Sequence, residues 1–145
     1  MNIIKLCGGL GNQIFQYAFG KVQMANGIDV QFDASWFETK KAKNPLRVYV
    51  LDKFNIDVPL IYSNSRENII SEKGFDLSLL QKDGHYFSGY WQYPKYTKNI
   101  LDDLRTEIRI KRDLYTRAFL DLRQRIIMDD FSIGVHVRRG DYTYL

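Results

Sequence analysis

Apolar positions fall in short runs separated by turn residues, and their spacing changes along the chain. Residues 3–7 form an apolar run interrupted only by Lys5, and Gly8-Gly9-Leu10-Gly11 closes it. Ile14, Phe15, Ala18, Phe19, Val22 and Ala25 then recur at helical intervals, which predicts one amphipathic helix. Asn12 stands where a side-chain cap for that helix is expected, and Asn26-Gly27 signals its end. Residues 28–32 alternate with period two, as a strand does. Strand, glycine-rich loop, helix, strand is the unit from which parallel sheets are built, so the fold class expected is α/β.

The middle of the chain is less periodic. Residues 48–51 and 58–62 read as short strands or loop segments, and residues 66–71 as a short helix. Residues 85–91 read as extended, with Tyr86, Phe87, Tyr90 and Trp91 close together. Ile100, Leu101, Leu104 and Ile108 mark one helical face, and Leu114, Ala118, Phe119, Leu122 and Ile126 another, with Asp113 as its expected cap. The alternation from Phe131 to Val137 predicts a buried strand, which ends in His136-Val137-Arg138-Arg139-Gly140-Asp141. No internal repeat, low-complexity segment or linker interrupts the 145 residues, which suffice for a domain with a core.

Composition narrows the function. With 45% apolar and 26% charged residues the chain has the balance of a soluble globular protein. Its net charge of +4 comes from scattered residues. The densest basic clusters, Lys40-Lys41-Lys43 and Arg109-Lys111-Arg112, read as solvated surface, and no nucleic-acid partner is expected. The lone Cys7 excludes an internal disulfide and a cysteine zinc site, and His85 and His136 show no metal-ligand spacing. No apolar run approaches the roughly 20 residues of a membrane span, and the opening run is too short for a signal peptide. The expected location is the cytoplasm, with peripheral association at the inner membrane face as the one form of membrane contact.

Two loops are suited to an anion. At Gly8 to Gln13 a glycine-rich turn enters a helix, where backbone N–H groups and the helix dipole favour negative charge. The pattern is neither GxGxxG nor a Walker loop. At the mouth of the last strand, Arg138 and Arg139 project to opposite sides, and His136 shares a side with Arg138. An arginine fork there is suited to phosphate, with Asp141 placed to hold its neighbour. No Asp-x-Asp pair occurs anywhere. A metal held on such a pair would otherwise neutralise a diphosphate, so arginines and backbone N–H groups are left to do it.

Three blocks together resemble the bacterial α-1,2-fucosyltransferase family, glycosyltransferase family 11. They are GGLGNQIFQYAFG from Gly8, SGYWQYPKY from Ser88 and GVHVRRGDY from Gly134. The resemblance implies a GT-B-like architecture: a Rossmann-like, acceptor-side domain over residues 1–110, then a crossover helix and the first strand of a donor-binding domain over residues 111–145. It implies inverting transfer of fucose from GDP-fucose to a galactose-containing glycan, without metal or other cofactor. Arg138 would then be the catalytic residue at the β-phosphate, supported by Arg139, His136 and Asp141. Gly11 and Asn12 would meet the same diphosphate from the first domain. Tyr90, Trp91 and Gln92 would face the acceptor. Members of that family are longer than this chain, so a fragment without activity of its own is expected. The alternatives are another GDP-sugar transferase or a non-catalytic carbohydrate-binding module.

Overall fold

The computed structural model describes residues 1–39, 47–63 and 66–135. Residues 1–111 form one compact unit and a second begins at Arg112.

The first unit is built on a five-stranded sheet. Its strands are β1 (Asn2–Lys5), β2 (Val30–Asp33), β3 (Leu60–Ile61), β4 (Ile69–Ser71) and β5 (Tyr86–Ser88), in the spatial order β3-β2-β1-β5-β4. Every pairing is parallel: Ile4 lies level with Phe32 on one side and with Phe87 on the other. This is the Rossmann-like α/β sheet expected from the opening of the chain. Helix α1 (Leu10–Ala25) connects β1 to β2. It lies directly on the strands at Gly20, where an added Cβ would sit 2.6 Å from the Phe32 ring and 3.1 Å from Ile4. Only a residue without a side chain lets helix and sheet approach this closely. Phe19, Phe87, Trp91 and Tyr96 continue the same core, with Phe19 stacked on Trp91 at 4.4 Å.

The buried face of α1 differs from the expected apolar stripe. Phe19, Ala18 and Val22 are buried, but Ala25 is exposed, and Gln13, Gln16 and Gln23 are fully buried. Each amide serves backbone or side-chain groups of neighbouring segments. Gln23, for instance, accepts from Asn2 Nδ2 and donates to Leu79 O. Asn12 is not the helix cap either. The N-cap is Gly9, and Asn12 lies within the first turn.

Other elements also depart from the sequence pattern. The expected helix at residues 66–71 is instead strand β4, because Ile69 to Ser71 pair with Tyr86 to Ser88; tertiary pairing overrides so short a pattern. Residues 48–50 are loop and Leu51–Lys53 a 3-10 turn. Helix α2 (Leu101–Glu107) follows a 3-10 turn at Lys98–Ile100. Glu107 accepts from both Tyr17 (2.7 Å) and Lys21 (2.6 Å), which fastens α2 to α1.

In the second unit, helix α3 (Arg117–Met128) is capped by Thr116, whose hydroxyl accepts from Phe119 N at 3.1 Å. Asp113, the expected cap, belongs to a separate 3-10 turn. The described part of the expected terminal strand, residues 131–135, is not a strand, and Phe131, Ile133 and Val135 are more than 70% exposed. An apolar alternation becomes a strand only against a neighbour, and among the described residues none pairs with it.

Candidate functional site

The chain leaves β1 towards β2 on one side of the sheet and later returns through β4 and β5 on the other. The order therefore reverses between β1 and β5. In an open parallel sheet, the loops that leave two such strands diverge and open a crevice beyond their carboxyl ends, where ligands bind. Here those loops are Leu6 to Gly9, which leads into α1, and Gly89 to Tyr93. Two of the blocks singled out in the sequence thus meet at the carboxyl ends of two interior strands.

Side chains join the two loops on both sides. On the exposed side, Gln92 Nε2 donates to Asn12 Oδ1 at 2.7 Å. On the buried side, Gln16 accepts from Cys7 N (2.9 Å) and donates to Cys7 Sγ (3.2 Å) and Gly89 O (2.9 Å). Gln13 braces the glycine-rich turn from a third direction. It donates to Gly8 O and Val48 O and accepts from Val50 N. Gly8 has φ +79°, and a Cβ there would run into the Asn12 amide. Backbone conformation therefore calls for glycine here, and its lack of a side chain leaves room for the amide lying over it.

The loop after β5 is held by Glu72, whose carboxylate accepts from Tyr90 N at 2.7 Å and Trp91 N at 3.0 Å. Trp91 has φ +57° and is only 1% exposed, stacked on Phe19 in the core. Of the three aromatic-block residues expected to face an acceptor, Tyr90 and Gln92 are exposed and Trp91 lies beneath them. Burial pushes the Cys7 thiol up, against the weaker pull of the Gln16 bond and the Lys5 charge. It is a structural group, not a nucleophile.

Asp33, at the end of β2, follows Gly11 by about the interval at which a Rossmann fold places its ribose-binding acid. The structure gives it another task. It is fully buried, accepts from Ser35 N at 2.9 Å and from Tyr86 OH at 2.7 Å, and has Arg66 Nε at 4.0 Å. Burial, and then the Asp33 hydrogen bond and charge, hold the Tyr86 phenol well above its ordinary range.

The sequence-predicted residues therefore divide into two groups. Gly11, Asn12, Tyr90, Trp91 and Gln92 gather at the switch point between β1 and β5. His136, Arg138, Arg139 and Asp141 lie outside the described residues, as does the Lys40-Lys41-Lys43 cluster. Sequence reasoning missed Gln13, Gln16 and Glu72. A signal for the first two existed: Gln13, Gln16, Gly20 and Gln23 share helical spacing and define a face of their own. Glu72 carried no such pattern. Among the described residues no cluster of His, Cys, Asp and Glu could hold a metal ion, and no helix is long and apolar enough to cross a membrane.

The profile of glycosyl transferase family 11 matches residues 1–144. The chain belongs to that family. A curated relative, an alpha-1,2-colitosyltransferase of Escherichia coli, is 26% identical over 97% of this chain and 55% of its own length. This family member thus spans about half the length of the curated relative it matches. No solved structure matches it. The match runs through all three motif blocks, so the site lies within the region the family shares.

Proposed function

We propose that this chain is the acceptor-side part of a galactoside α-1,2-fucosyltransferase, together with the start of its donor-binding domain. The acceptor hydroxyl attacks the anomeric carbon of GDP-fucose and gives up its proton to solvent, the bond to the β-phosphate oxygen breaks, and configuration inverts. GDP departs with the charge of that bond. Arg138 and Arg139 receive the charge, with His136 beside them and Asp141 as their counter-ion. Gly11 and Asn12 approach the diphosphate from the glycine-rich turn, and Tyr90 and Gln92 face the sugar acceptor. In this reading the cations do the work of a metal, and the architecture is GT-B-like.

The observation that carries the proposal is the meeting of two family blocks at the switch point, through the bond between Gln92 and Asn12. Membership of the family over residues 1–144 supports it. The name of the curated relative favours a second reading, in which the sugar transferred is colitose.

The test uses a full-length protein that carries this chain, supplied with GDP-fucose or GDP-colitose and a β-galactoside, and product linkage is read by NMR. Transfer from GDP-fucose to the galactose 2-hydroxyl is expected, and Arg138→Ala should lower kcat at least about 30-fold, as for loss of a charged leaving-group contact worth about 2 kcal/mol. Arg138→Lys should recover little of this, because a point charge does not replace the fork. A clear preference for GDP-colitose would favour the second reading. Saccharide binding with no transfer from any sugar nucleotide would make this a carbohydrate-binding module.

A further inference from the structure

Glu72 stands outside every motif block, directly after edge strand β4. Its own N–H donates to Ser88 O at 3.0 Å, which brings its side chain beside the end of β5. There the carboxylate receives two successive N–H groups, those of Tyr90 and Trp91. Consecutive N–H groups converging on one anion form a nest. The conformation that makes this one is costly, since a non-glycine residue at positive φ, here Trp91 at +57°, persists only when its surroundings enforce it. Two charge-assisted bonds from Glu72 and the stacking of Trp91 on Phe19 do so.

Gly89 completes the device. An added Cβ would lie 2.5 Å from Glu72 Cβ and 2.8 Å from its carboxylate oxygen, so only glycine lets the carboxylate reach the next two amides. With Trp91 turned inward, its neighbours Tyr90 and Gln92 are left outside. Gln92 reaches Asn12 from that position. The bond occupies Asn12 Oδ1 with a donor, which leaves Nδ2, over Gly8, as the N–H end of the amide with no partner among the described residues. A free N–H is the group a diphosphate needs.

We propose that Glu72 is a positioning residue of the transferase, acting through the Gly89 to Gln92 loop to set the Gln92–Asn12 contact and so the orientation of the Asn12 amide. This rests on the reading of Asn12 as a donor-side ligand.

The experiment is a double-variant cycle of Glu72→Ala and Gln92→Ala in the full-length protein, read as kcat/KM for GDP-fucose and as thermal stability. Amide hydrogen exchange of Tyr90 and Trp91 is read alongside. Each single variant should lower donor kcat/KM at least tenfold. The double variant should fall no further, because both changes break one chain of contacts. Thermal stability should behave differently: Glu72→Ala lowers it and Gln92→Ala, at an exposed site, leaves it nearly unchanged. The Tyr90 and Trp91 amides should exchange at least tenfold faster in Glu72→Ala only. Glu72→Gln, which keeps one acceptor oxygen, should recover part of both losses, and it replaces Glu72→Ala in the cycle if that variant does not fold. Single-variant losses that multiply in the double variant would overturn the proposal. So would faster exchange with unchanged donor kcat/KM, which would leave Glu72 a purely structural clamp. Absence of transfer by the parent protein would overturn the transferase reading and this proposal with it, whatever the exchange pattern.

Discussion

Replacing Gln16 by Leu should cost more stability than any exposed change in the molecule. Leucine has nearly the same volume, so packing is kept and hydrogen bonding is what changes. Gln16 is fully buried and serves three groups: Cys7 N, Cys7 Sγ and Gly89 O. The bond to sulfur is weak, and a thiol without a donor costs little. The other two are backbone groups in the loops that follow β1 and β5, and leucine offers them nothing. An orphaned buried polar group costs about 1–3 kcal/mol. Two of them predict a loss of about 2–6 kcal/mol, a large share of a small domain's stability.

Urea unfolding of the chain, followed by circular dichroism, measures this as a fall in midpoint at constant slope. Gln16→Glu sharpens the test. It keeps an acceptor for Cys7 N–H but sets a carboxylate oxygen against the Gly89 carbonyl, so it should be at least as damaging despite its similar shape. A loss below about 1 kcal/mol for Gln16→Leu, or a Gln16→Glu protein as stable as the parent, would show that the two loops are not tied from the buried side as described.

Three further outcomes follow from the same geometry. Asn12 is not the cap of α1, so Asn12→Ser should change unfolding by less than about 1 kcal/mol yet impair transfer by the full-length protein; unchanged turnover would remove Asn12 from the donor site. Tyr17 and Tyr86 are held neutral by burial and by hydrogen bonds to Glu107 and Asp33. Their stabilisation is fully present below the ordinary tyrosine value near 10 and declines above it, each by up to about 1.4 kcal/mol per pH unit, so Tyr86→Phe should flatten the fall in stability measured from pH 9.5 to 11. Transfer should survive excess EDTA, because the proposed site meets the leaving charge with arginine; loss of activity in EDTA, restored by manganese, would refute that.

The sheet was legible in the sequence where local pattern and tertiary demand agree. Residues 3–7, Gly8 to Gly11 and the α1 periodicity each specify strand, turn and helix without help from distant residues. Agreement ended where an element owes its form to a partner. Ile69 to Ser71 is a strand because β5 lies beside it, and nothing in those three residues says so. Thr116 rather than Asp113 caps α3 because that helix begins later than its apolar spacing suggests.

The site was half legible for a related reason. Glycines, an asparagine and exposed aromatics at a loop are visible as types suited to a ligand. The residues that hold them in place are buried amides and one carboxylate, and hydrophobic periodicity treats these as surface. Gln13 and Gln16 are buried because their amides pair with Val48 O, Val50 N, Cys7 N and Gly89 O, backbone groups that helix and strand ladders leave open. A helix that follows a glycine-rich turn and must also pack against a second loop has this requirement built in. The turn has too few side chains to satisfy its own backbone, so the helix must supply them from its first two turns. Glutamine is long enough to reach, and it both donates and accepts, which matches the mixture of N–H and carbonyl groups that a loop presents. Glutamines three residues apart just inside such a helix are therefore a readable sign that the turn is braced for a purpose. In this chain they lie under the switch point between β1 and β5.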